Sequence, residues 1–135
     1  MREVEADRFV QASPSAVYRF LSPQRVVETE GTFTVADVEQ TDRGTVVMAA
    51  GPGIAVPLRF EYLENGLRYV AEGDVGPFDH LETEVTVEQE GNGSRITMRS
   101  TVSLNVPLPL VDCIAGWKRR RELDRALDEI AADVS

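Results

Sequence analysis

PLPLVDCIAGWKRRRELDRALDEIAADVS, residues 107–135, is the one long segment of this 135-residue chain with clear helical periodicity. Leu123, Ala126, Leu127, Ile130 and Val134 recur at steps of three and four and form a single apolar stripe. Asp124, Arg125, Asp128 and Glu129 fall on the opposite, solvated side. Following the stripe backward at about 100° per residue meets Arg120 and Arg119, then Gly116, then Asp112. The second half of the helix therefore reads as a core plug. Its first half carries small and polar groups where apolar ones belong, which predicts a hollow beneath the opening turns.

What precedes the helix is a run of strands. Leu81, Thr83, Val85 and Val87 alternate with Glu82, Glu84, Thr86 and Glu88. After a turn at 90–93, Ile96, Met98, Ser100, Val102 and Leu104 alternate with Thr97, Arg99, Thr101 and Ser103. These are two long antiparallel strands with one dry and one wet face. Upstream, strands are expected at 32–39, 45–50, 54–64 and 67–73, separated by turns at 41–44 and 51–53. Asn65-Gly66 joins the last two, and its composition predicts a type I′ hairpin with positive φ at both positions. Leu58, Phe60 and Tyr62 share one face of the first of that pair, and Leu67, Tyr69 and Ala71 one face of the second.

The beginning of the chain completes the order. Residues 3–11 alternate as a first strand, and Ser13-Pro14 is an N-cap followed by proline at the first helical position. Val17, Phe20 and Leu21 give the following short helix its apolar face, and a second helical turn at 23–29 points Val26 and Val27 inward. Strand, short helices, six strands in hairpins and one long helix make an α+β domain with the helix on one face of an antiparallel sheet. The chain has no internal repeat or linker, so residues 1–135 read as one domain of ordinary size.

Composition narrows the function classes. Net charge is −9, with thirteen arginines and one lysine among the basic residues. A surface of that sign repels phosphate, so neither nucleic acid nor an anionic membrane is the expected partner. No apolar run approaches the roughly 18 residues of a membrane span. The charged N-terminus lacks an apolar signal core, which suits a cytoplasmic protein. A single cysteine, Cys113, and a single histidine, His80, provide no metal cluster, and no cofactor is expected.

The opening residues 10–21, VQASPSAVYRFL, the Asn65-Gly66 hairpin and the leucine spacing of 121–131 together resemble the START-like superfamily, also called SRPBCC or polyketide cyclase/dehydrase and lipid-transport proteins. The resemblance spans the whole chain, and none of its markers is catalytic. It implies the helix-grip fold, a curved seven-stranded antiparallel sheet wrapped around the last helix with a pocket between them. It also implies a small apolar or amphipathic ligand, since family members hold lipids, sterols, quinones, polyketides or plant hormones there.

Candidate ligand-contacting residues are those brought to the pocket by these patterns. Gly116 either packs closely against an aromatic ring such as Tyr62 or Tyr69, or leaves volume for a ligand. Arg119 and Arg120 lie toward the same face. One of them pairs a ligand carboxylate or phenolate, or takes Asp112 as its partner, while the other reaches solvent. Thr83 and Ser100 interrupt dry faces, and Tyr62 and Tyr69 carry hydroxyls inward, either bonded within the protein or orienting a ligand oxygen. Met98 lines the same interior and also serves as core filler. His80 faces water beside Leu81, and Cys113 has no visible base to activate it. Trp117 covers the pocket entrance or packs on the first helix, or, if exposed, marks a partner or membrane contact.

These features favour a carrier or sensor of a small apolar or amphipathic molecule over an enzyme. A cyclase- or dehydratase-type enzyme would use the same cavity, with Asp112, Arg119, Arg120, Tyr62 and Tyr69 as its only acid–base candidates. An interaction subunit that docks on a partner protein would instead fill the interior with large side chains.

Overall fold

The computed structural model describes residues 2–72, 78–104 and 109–134, with side chains described for all of these except 78, 79, 104 and 109–113. Seven strands form one antiparallel sheet: β1 (Arg2–Val10), β2 (Thr34–Thr41), β3 (Gly44–Gly51), β4 (Ile54–Leu63), β5 (Gly66–Ala71), β6 (Phe78–Glu90) and β7 (Gly93–Leu104). Their order across the sheet is β1-β7-β6-β5-β4-β3-β2, so every hairpin is sequential and only β1 crosses to the far edge. Helices α1 (Pro14–Phe20) and α2 (Pro23–Glu30) follow β1, and α3 (Pro109–Val134) ends the chain. This is the α+β helix-grip arrangement that the order of elements implies.

Local chemistry sets the short helices. Ser13 and Ser22 cap α1 and α2, their hydroxyls accepting from the Ala16 and Arg25 amides at 3.2 Å, and each is followed by proline at the first helical position. Gly31 stops α2 at φ +80°, a left-handed conformation that glycine adopts without strain. Val26 and Val27 are buried, and so is Glu30, which lies four and three residues beyond them on the same helical face.

The long strands pair as their alternation requires. Thr83 lies opposite Ser100, Leu81 opposite Val102 and Val85 opposite Met98, all buried. The β4–β5 turn departs from expectation. Leu63 pairs with Gly66, leaving Glu64-Asn65 as the two-residue loop, and neither has positive φ, so the turn is not type I′. Gly66 is required for another reason. A Cβ there would collide with the backbone carbonyl of Val85 on the neighbouring strand.

Leu123, Ala126, Leu127, Ile130 and Ala131 of α3 are buried against the sheet, where the helix packs on β1 and β7. Each large aliphatic chain removed from water there contributes about 1.5–3 kcal/mol before entropy is counted. Anchored by this stripe, the first half of α3 stands over the middle of the sheet. Among the described residues no helix is long and apolar enough to cross a membrane.

Candidate functional site

A cavity of about 540 Å³ opens between the first half of α3, the end of α2 and the concave face of the sheet. Its walls are mainly apolar: Val27 and Phe33, Ile54 and Leu58 of β4, Leu81 of β6, Val102 of β7, and Ile114 and Ala115 of α3. Among the described residues, polar groups enter at a few points, namely Glu30, Thr32, Tyr69, Lys118, Arg119 and Glu122. That mixture, a greasy wall with a small set of placed polar groups, is typical of small-molecule pockets.

Arg119 organises the polar end. It is 5% exposed, and its Nη1 forms an ion pair with Glu30 Oε1, also buried at 6% exposure. Nη2 donates to the Tyr69 hydroxyl and, at 2.7 Å, to Thr83 Oγ1, while Nε donates to Ser100 Oγ at 2.9 Å. Ser100 Oγ donates to the Glu82 backbone carbonyl at 3.2 Å, so Thr83 is the donor in the 2.9 Å bond between the two hydroxyls. Tyr69 donates to Glu30, 2.9 Å from both carboxylate oxygens. The remaining Nη1 proton is left toward Glu122, whose Oε1 lies 3.5 Å away and whose Oε2 accepts from Thr32. Four of the five guanidinium protons are thus hydrogen-bonded to protein groups, and the fifth, on Nη1, has the Glu122 carboxylate as an ion-pair partner only.

Burial on its own would lower the Arg119 pKa, but the charge of Glu30, assisted by Glu122, outweighs it and holds the guanidinium above its ordinary range. Burial, followed by the Glu30 charge, pushes the Tyr69 phenol well above its usual value despite the opposing pull of Arg119. The Tyr69 ring also packs on Phe60, with centroids 4.8 Å apart.

Of the residues picked from the sequence, Tyr69 and Arg119 line the cavity, and Thr83 and Ser100 stand directly behind Arg119 as its acceptors. Met98 is fully buried in the core beside Val85 rather than on the cavity wall. Arg120 is exposed. The side chains of Asp112 and Cys113 lie outside the described residues. His80 is half-buried, 3.4 Å from Glu82 on the same strand.

Two expectations need correction. Tyr62 is 70% exposed and does not carry its hydroxyl inward. It shares the face of Leu58 and Phe60 but lies one residue from the end of β4, where that face is no longer buried. Gly116 is buried, yet among the described residues it is not part of the cavity lining, and the atoms nearest to an added Cβ belong to Arg2 rather than to an aromatic ring. A Cβ there would sit 2.5 Å from Arg2 Cγ, so the glycine lets α3 approach the edge strand β1. The cavity-facing residues Ala115, Lys118, Arg119 and Glu122 form a neighbouring stripe, rotated by roughly 60–100° from the core stripe. Trp117 is 64% exposed and is not among the described lining of the cavity; its ring stacks with Arg121, whose guanidinium carbon is 5.0 Å from the centroid.

Sequence reasoning passed over Glu30 and Glu122. The signal for Glu30 was its spacing from Val26 and Val27, which puts a carboxylate on the inward face of a short helix.

The whole architecture recurs among solved structures. The chain is similar to XoxI from Bacillus cereus, with a TM-score of 0.77 at 16% identity, covering 99% of this chain and 96% of that one. It is similar to a START superfamily protein from Mycobacterium smegmatis, with a TM-score of 0.68 at 17% identity, covering 98% and 99%. The chain has the START-like, or SRPBCC, helix-grip fold. The di-domain ARO/CYC protein BexL from the BE-7585A biosynthetic pathway shares this START-like fold, with a TM-score of 0.64 at 21% identity over 94% of this chain and 45% of that one. No protein-family model matches the sequence, and no curated protein matches it.

Proposed function

We propose that the protein binds a small apolar or amphipathic molecule in the cavity between the sheet and α3, as a carrier or sensor. The observation that carries this reading is the combination of about 540 Å³ of space and mainly apolar walls with one polar end. The START-like fold shared with the ARO/CYC protein BexL supports a role centred on that cavity. A chain serving only as a docking scaffold would fill the same space with side chains.

Binding is favoured over turnover by the state of the polar groups. Tyr69, Glu30 and Arg119 hydrogen-bond one another, so these three groups are committed to internal partners. Tyr69 and Arg119, backed by Thr83 and Ser100, are assigned to shaping that end.

The test is uptake of a neutral solvatochromic dye such as Nile red. Ala115→Trp places an indole in the cavity from the α3 wall and is expected to abolish the fluorescence gain, with circular dichroism unchanged. Dye binding that survives this substitution would remove the cavity as the binding place.

A further inference from the structure

The polar end of the cavity holds more hydrogen-bond acceptors than free donors. Arg119 faces the cavity, but four of its five protons are bonded to Ser100, Tyr69, Thr83 and Glu30, and the single one left, on Nη1, stands beside Glu122. It has no free fork with which to clasp an anion. The acceptors are in surplus. A carboxylate offers about four lone-pair sites, and Glu122 accepts one hydrogen bond from Thr32 and stands 3.5 Å from Arg119. Two carboxylates, Glu30 and Glu122, face one guanidinium there, so the charge of the groups shielded from solvent at this end is negative. Lys118, the other cationic group of the described lining, is exposed to solvent.

We infer that the cavity takes an apolar molecule whose polar end donates hydrogen bonds, an amine or a hydroxyl, and discriminates against carboxylates. This rests on the cavity being the binding place. Glu122 is the accepting group, and Glu30 adds its charge. A carboxylate head in the same position would meet two like charges across a largely dry wall and would have to break the Arg119 cluster to gain a donor.

The experiment is displacement of Nile red by three molecules with one tail, namely decylamine, decanol and decanoate, at neutral pH. Decylamine and decanol are expected to displace the dye at concentrations at least about tenfold below decanoate. Glu122→Gln keeps an acceptor for Thr32 but removes the charge, and should shrink the preference for amine over acid by about tenfold. Lys118→Gln should not raise that preference, since the ammonium lies in solvent.

Decanoate binding as well as or better than decylamine would overturn the inference and leave the cavity reading standing, provided that Ala115→Trp still blocks the dye. Decylamine binding that persists in Ala115→Trp would place it on the acidic surface and also overturn the inference. Failure of all three, together with dye uptake insensitive to Ala115→Trp, would sink both readings. The head-group series on the unsubstituted protein decides the matter even if the Glu122 variant fails to fold.

Discussion

Glu30 and Arg119 stand 89 positions apart in the chain, and their side chains form a buried ion pair at the end of the cavity. The pair ties the last residue of α2 to the first half of α3, and Tyr69, Thr83 and Ser100 anchor it to β5, β6 and β7. Removing two charges from water costs several kcal/mol, offset here by the mutual attraction and a nearly complete set of hydrogen bonds. The cluster therefore fixes the cavity's shape more than it adds to net stability.

Deleting both members should cost less than the two single deletions taken together. Glu30→Ala leaves the guanidinium buried without its counter-charge and is expected to cost about 3–5 kcal/mol in urea unfolding. The double variant Glu30→Leu with Arg119→Met removes both charges and should lose clearly less than the sum of the single losses. Additive losses would show that the two groups are not energetically coupled.

The same cluster shows what could be read from residue order and what could not. Alternation in 81–104 and the 123–134 stripe are local patterns, so the sheet and the packed half of α3 were legible. Arg119 was legible as an inward group because it lies on a long helix. Glu30 was obscured because α2 is only 8 residues long and its partner belongs to another element far along the chain. Tyr62 misled because alternation states which face a residue occupies but not where cover ends along the strand. Gly116 misled because a glycine on a helix face does not say which neighbour comes close.

Filling Gly116 should leave ligand uptake intact. The nearest atoms to an added Cβ are Cγ, Cβ and Nε of Arg2, on the edge strand rather than in the cavity. Gly116→Leu is expected to lower stability by about 1–3 kcal/mol as β1 is pushed aside, with Nile red uptake retained once folded. Loss of uptake in a folded Gly116→Leu protein, to the extent seen with Ala115→Trp, would contradict the placement of the cavity stripe.

The two hairpin glycines should rank opposite to turn-based intuition. Gly91 has φ +57° and no atom within 4 Å of an added Cβ, so Gly91→Ala carries only the left-handed penalty of about 1–2 kcal/mol. Gly66 has no positive φ, but a Cβ there would overlap the Val85 carbonyl and force two hydrogen-bonded strands apart. Gly66→Ala is therefore expected to be the more damaging, at about 3 kcal/mol or more. Thermal unfolding of both variants side by side gives the ranking directly.

Alkaline pH should weaken the protein through Tyr69. Burial and the Glu30 charge raise its pKa above the ordinary 10.0, so the folded state holds the phenolic proton where the unfolded chain has released it. The group's contribution is thus fully present below pH 10.0 and declines as pH rises beyond it. Each pH unit above that point costs about 1.4 kcal/mol, because the unfolded state binds one proton fewer. Tyr18 shifts in the same direction, through burial and then Glu64, and adds to the slope. Tyr69→Phe removes only the first contribution. The variant should be less stable than the parent at neutral pH, by about 1–3 kcal/mol for the lost hydrogen bonds, and this gap should narrow as the solution becomes strongly alkaline. Urea midpoints measured for both proteins across that range test the point, and parallel curves would show that Tyr69 ionises as freely in the folded protein as in the unfolded one.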